Sequence, residues 1–224
     1  MFSRSFYSET GEDVVIKQFI DKTPGKYIDV GAYHPILGSN TYDLYLKKWS
    51  GIAVEPQQQH NKLWKYFRKR DLVINLPVSS KKNVLFHYST NPLLSTTNEF
   101  VADFHRSEEK WSHSETLETL RLESILPKQL SPFENFLLSI DIEGSELDAL
   151  TTIDWKNQKP RVVLIESWSK PWLDGSTISH YMSKKDYSLE AYTGLTSVYV
   201  AKEFLKSKTS LKERLSEEFK DEIK

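Results

Sequence analysis

The chain has 224 residues, of which 38% are hydrophobic and 12% aromatic, enough to bury one proper core and too many for a disordered chain. A formal charge of −1 and a pI near 6.6 leave no basic excess to draw it to nucleic acid or anionic membrane. There is no cysteine, which excludes disulfides, thiolate catalysis and cysteine-ligated zinc.

The N-terminal residues MFSRSFYSETGED lack the apolar core of a signal peptide, and no apolar run approaches the ~20 residues of a membrane span. A cytoplasmic protein is therefore expected. Glu12 and Asp13 sit where negative charge suits a helix N-terminus. Val15, Ile16, Phe19 and Ile20 follow at helical spacing and Pro24-Gly25 ends the pattern. Tyr27 to Val30 reads as a strand opening through Gly31 into a polar loop, and Thr41 to Leu44 starts a helix. A strand that opens through glycine into a loop and a helix begins a doubly wound sheet, with a ligand crevice at the strand's carboxyl end. Asp29 and Asn40 are expected to flank that crevice, and Gly31 to let backbone approach a ligand. A second strand runs from Ile52 to Val54 and ends in Glu55-Pro56. Glu55 follows Gly31 at close to the ~20-residue spacing at which an acid meets a ribose diol.

Leu63, Trp64 and Phe67 mark the next helix, and Asp71 to Leu76 a third strand with Asn75 near its end. Asn83 to Tyr88 alternates as an edge strand would. The stretch from Pro92 to His113 reads as irregular, the natural place for a lid over an acceptor. Asn91-Pro92 is a turn. Thr116 to Leu120 alternates again, and Leu122 to Leu126 forms a helical turn or two. Phe136 to Asp141 and Arg161 to Glu166 are near-continuous apolar strands, as in a parallel sheet covered on both faces. Ile178, Tyr181 and Met182 give a helix, and Ser188 to Tyr192 with Ser197 to Ala201 a closing hairpin. Leu211, Leu215 and Phe219 space an amphipathic terminal helix.

Strands alternating with helices and closed by a hairpin fit an S-adenosylmethionine (AdoMet) methyltransferase sheet better than a dinucleotide dehydrogenase. The loop Gly31-Ala-Tyr-His-Pro-Ile lacks the second and third glycines that a pyrophosphate needs. The expected fold is α/β and Rossmann-like, of the class I AdoMet-dependent methyltransferase type: a mostly parallel seven-stranded sheet with a C-terminal antiparallel hairpin.

Several stretches together resemble the FkbM-type family of AdoMet-dependent methyltransferases: Tyr7-Ser8 with Gly11-Glu12-Asp13, Tyr27-Ile-Asp-Val-Gly-Ala32, Ser39-Asn40-Thr41, Trp49-Ser-Gly51 with Val54-Glu55-Pro56, Leu94-Ser95-Thr96, Ile140-Asp-Ile-Glu-Gly-Ser-Glu146 and Val163-Leu-Ile-Glu166. Each is weak alone; their order over roughly residues 7 to 200 is specific. Glu9 departs from the family pattern, which looks more like glutamine there. The resemblance implies an AdoMet-binding domain, taken as residues 1–202 with a C-terminal helix at 203–224, that methylates a hydroxyl of a small-molecule or glycan acceptor. On this reading the cofactor contacts are Glu12, Asp29, Gly31, Ala32, Asn40, Glu55, Asn75 and Asp141.

Methyl transfer to a hydroxyl needs alignment and removal of one proton. Asp141 and Glu143 are candidates for the base, or for ligands of a divalent metal; the competing reading is that they cap the helix beginning near Gly144. His34 titrates near neutral pH and is the third candidate base, against a structural histidine. Glu166 ends the fifth strand as a supporting carboxylate. Trp168 and Trp172 can stack on a sugar face or pack a lid onto the core. The acceptor reading is a saccharide or similar hydroxylated metabolite, with no nucleic acid expected. The rivals are a methyltransferase acting on RNA or protein, and a catalytically inactive AdoMet-fold interaction module.

Overall fold

The computed structural model describes residues 6–108, 110–167 and 177–209. Its main sheet has seven strands: β1 (Lys26–Val30), β2 (Ser50–Val54), β3 (Leu72–Ile74), β6 (Phe136–Ile140), β7 (Val162–Glu166), β8 (Tyr187–Tyr192) and β9 (Thr196–Ala201). They lie in the order β3-β2-β1-β6-β7-β9-β8. The first five are parallel; β9 runs antiparallel to β7, and β8 pairs antiparallel with β9. This is the expected seven-stranded sheet with its terminal hairpin.

The burial of each strand explains its place. All five residues of β6 and all six of β9 are buried, and β7 is buried up to Glu166. Such strands sit centrally because both faces are covered by helices. β3 is short and half exposed, as an edge strand should be. Helices α1 (Glu12–Val15), α2 (Tyr42–Leu46) and α3 (Asn61–Phe67) alternate with the first three strands. The core joins Ile28, Leu138, Leu164 and Val198 from the sheet to Leu44, Leu150 and Met182 from flanking helices. A helix over 202–209 follows β9 and sends Phe204 into that core. The expected apolar face at Leu211, Leu215 and Phe219 lies outside the described residues. Among the described residues no helix is long and apolar enough to cross a membrane.

Asn83 to Tyr88 is an edge strand as expected, though not of the main sheet: β4 (Asn83–Ser89) pairs antiparallel with β5 (Trp111–Glu118) in a separate two-stranded ribbon. One expectation needs correction. The stretch from Pro92 to His113 is not irregular throughout. A short 3-10 turn at Pro92–Leu94 leads to a helix, α4 (Glu99–Ser107), and β5 begins at Trp111. The Asn98 side chain accepts from the amides of Phe100 and Val101 and so caps α4. That helix was hard to read because Phe100 and Phe104 face solvent while Val101, Ala102 and His105 are buried.

Candidate functional site

The carboxyl ends of β1, β2, β6 and β7 open into one cavity of about 530 Å³, within the usual size of a small-molecule site. Val30 and Gly31, Val54 and Glu55, Asp141, and Glu166 bring the four strand ends to its wall. Pro56, Leu76, Pro77, Val78 and Phe86 make its apolar side, and Leu94 to Thr97 cover it from the ribbon. The expectation that the crevice lies at this edge of the sheet is met.

Glu55 occupies the β2 side. It is 6% exposed, and its two oxygens accept from the amides of Tyr33 at 3.1 Å and Gln57 at 2.8 Å. Burial outweighs those bonds and pushes its carboxyl up to about 7. Glu55 thus brings a buried carboxyl to the cavity wall at the end of β2.

Asp141, Glu143 and Glu166 meet two to three strands away, roughly 10–15 Å at the usual strand spacing. Their carboxylate oxygens lie within 4.8 Å of one another. Burial first, then a hydrogen bond with Glu166 and the charges of Glu166, Glu143 and Glu146, holds the Asp141 carboxyl well above its usual range. This favours the protonated form of Asp141 beside Glu166. Asp141 and Glu143 are not brought together by strand alternation, since β6 ends at Ile140 and Glu143 adopts a left-handed φ of 55°. Neither caps a helix: α5 (Glu146–Thr151) begins later, and Glu146 turns back to accept from the amides of Ile142 and Gly144.

Apart from Gly31, the other candidates among the described residues stand away from this cavity. His34 does not face Asp141. Its Nδ1 accepts from the amides of Ile36 at 3.1 Å and Leu37 at 3.0 Å, and its ring abuts His60. Burial and His60 lower its pKa. Asp29 is buried beneath the wall and accepts from Thr41 Oγ1 at 2.5 Å. Asn40 donates to Ser139 Oγ, and Asn75 to the carbonyl of Glu55, so both brace strand ends. Ala32 packs against Ala53 and Trp64. Glu12 accepts from Thr10 and from Thr193 Oγ1, tying the N-terminal segment to the β8–β9 turn. Gly31 lines the cavity, but its missing side chain serves another strand. A Cβ there would lie 1.6 Å from the carbonyl oxygen of Asp141. Trp168 and Trp172 lie outside the described residues.

Some contributors were not read as site residues from the sequence. Glu9, noted there only as a departure from the family pattern, lines the cavity, and burial followed by the charges of Glu166 and Glu12 raises its pKa. Arg68, 1% exposed, clamps the loop after β1. It pairs with Asp71 at 2.7 Å and donates to Tyr27 Oη, Thr41 Oγ1 and the carbonyl of Pro35. No local pattern marks a pair of partners 41 positions apart.

A family model described as the methyltransferase FkbM domain matches residues 29–189, more than half of the chain. A search among curated proteins returns no match.

Proposed function

The chain belongs to the FkbM methyltransferase family, and on that premise we propose that it transfers a methyl group from AdoMet to a hydroxyl of a neutral acceptor, a saccharide or similarly hydroxylated metabolite. One observation carries this reading: one cavity holds the buried carboxylate of Glu55 at the end of β2 and the clustered carboxylates of Asp141, Glu143 and Glu166 at the ends of β6 and β7. When bound, AdoMet supplies an electrophilic methyl group on a sulfonium. Glu55 would accept from the ribose hydroxyls, while Pro56, Leu76 and Pro77 offer an apolar surface for a purine. The carboxylates Glu166 and Glu143, with Asp141, orient the acceptor hydroxyl and receive its proton.

The charge of the cavity supports a neutral acceptor. Among the described residues its wall carries Glu9, Glu55, Asp141, Glu143 and Glu166, and no lysine, arginine or histidine. A phosphate would enter against this field, whereas a sugar hydroxyl can donate to it. That favours a saccharide over RNA. Calorimetry tests the cofactor: AdoMet and S-adenosylhomocysteine should bind and NAD should not. Glu55→Ala should weaken AdoMet by roughly 1.5–3 kcal/mol, about ten- to a hundredfold in Kd. Undiminished binding would remove Glu55 from the site. Labelled AdoMet tested against neutral glycans, phosphorylated sugars and RNA then decides the acceptor, and preference for either anion would overturn the neutral class.

A second reading follows from the three clustered carboxylates, which are also close enough to hold a divalent cation that orients an acceptor diol. Activity lost in EDTA and restored by Mg²⁺ or Mn²⁺ would select it. Indifference to EDTA leaves the carboxylates as base and orienting groups.

A further inference from the structure

The stretch Leu94-Ser95-Thr96 belongs to no catalytic role so far, yet it lies against the loop that carries Asp141 and Glu143. Thr96 is 1% exposed, and its Oγ1 donates to the carbonyl of Glu143 at 2.8 Å while accepting from the amide of Asn98 at 2.8 Å. Asn98 divides its amide group: Oδ1 caps α4, and Nδ2 donates to the carbonyl of Gly144 at 2.6 Å. Beside them, the Thr97 and Ser145 hydroxyls are 2.7 Å apart. The segment is fixed in turn to β4, where the backbones of His87 and Thr96 exchange hydrogen bonds of 2.8 and 3.0 Å.

These bonds fall on the part of the loop least able to hold itself. Glu143 and Gly144 both have positive φ, 55° and 97°, a conformation that a glutamate adopts only when its surroundings impose it. From the inner side, Glu146 holds the amides of Ile142 and Gly144. From the outer side, Thr96 and Asn98 hold the carbonyls of Glu143 and Gly144. The two sets meet on the Glu143–Gly144 peptide, whose N–H donates to Glu146 and whose carbonyl accepts from Thr96.

We propose that Thr96 and Asn98 are positioning residues: they latch the ribbon and α4 onto the Asp141–Gly144 loop and keep the Glu143 carboxylate beside Asp141 and Glu166. This rests on the reading that those carboxylates handle the acceptor proton. Thr96→Val removes the hydroxyl at nearly constant shape. Asn98→Asp retains a good helix cap but turns a second acceptor toward the Gly144 carbonyl. Both should lower kcat by ~10²-fold, the cost of a misplaced reacting group, with AdoMet affinity near wild type; Thr96→Val should also lower Tm by a few degrees, since it leaves the Glu143 carbonyl and Asn98 amide unpaired. Thr96→Ser should restore turnover. Hydrogen exchange at the amides of Ile142 and Gly144 should quicken in the T96V and N98D chains and not in T96S. Unchanged exchange in T96V and N98D, or faster exchange with unchanged kcat, would overturn the latch. Should T96V fail to fold, N98D decides. If the wild-type chain methylates no acceptor, the proposed function fails, and the exchange rates still judge the latch.

Discussion

Burial, then the hydrogen bond and charge of Glu166 and the other neighbouring carboxylates, keeps the Asp141 carboxyl raised, which favours its protonated form. A carboxyl that holds its proton cannot take up another, so within the proposed function the base is assigned to Glu166. Glu166→Gln should therefore lower turnover by ~10²–10⁴-fold, the usual contribution of a positioned base. Asp141→Asn keeps a donor for Glu166 and should lower it less. Turnover of labelled AdoMet by the two variants checks this, and the reverse order would return the role of base to Asp141. His34 is no rival in this geometry, because its Nδ1 is taken by two loop amides. A histidine shortly beyond a glycine loop reads in sequence as a base or as a structural residue, and the amides of Ile36 and Leu37 decide for the second.

At the scale of elements, the end of β1 meets the end of β6 so closely that Gly31 has no room for a side chain. Its φ of 78° is also left-handed. Gly31→Ala would drive a Cβ into the Asp141 backbone and strain the turn. Overpacking and the left-handed conformation together should cost roughly 2–5 kcal/mol. A urea midpoint lowered at constant slope would show it; a wild-type midpoint would mean that the two strand ends are free to separate. The role of this glycine was half legible. A glycine after a buried strand signals close approach, and here the approaching group is protein backbone. Central strands were legible for a related reason: Phe136 to Ile140 and Val162 to Ile165 are almost wholly apolar, as burial on both faces demands. The strands of the ribbon could be read from their alternation, but their pairing and α4 could not, because much of the apolar surface there stays exposed and contacts such as His87 with Thr96 join segments separated by a turn. The carboxylates Glu55, Asp141 and Glu143 could be found at strand ends. The bracing roles of Asp29, Asn40 and Asn75 depend on partners that only folding brings near, such as Thr41 and Ser139.

For the molecule as a whole, a formal charge of −1 conceals a strong segregation. Carboxylates crowd the carboxyl rim of the sheet, and burial is the foremost cause that raises Asp29, Glu55, Asp141 and Glu146. A carboxyl whose folded pKa exceeds its unfolded value binds its proton more tightly in the native state. Its contribution to stability is complete below the unfolded pKa and is lost as pH rises through the folded one. For Glu55 that window runs from 4.5 to about 7, and the shift amounts to roughly 3 kcal/mol at ~1.4 kcal/mol per pKa unit. Glu12 and Asp148 have the opposite sign. Hydrogen bonds from Thr10, and from Ser79 and Ser80, lower them against the effect of burial, so their contributions are lost only at more acid pH. The ligand-free chain should therefore melt several degrees higher at about pH 5.5 than at about pH 8, since each kcal/mol moves Tm by ~2–4 °C at this size. Glu55→Gln should narrow that difference. Donors from a ribose diol favour the ionised form of Glu55, so saturating AdoMet should raise Tm more at the higher pH and release protons near neutrality. Thermal melts of both proteins at the two pH values, with and without AdoMet, measure all of this. A glutamine variant with the full wild-type pH difference would show that Glu55 is not where the crowded rim stores its protons.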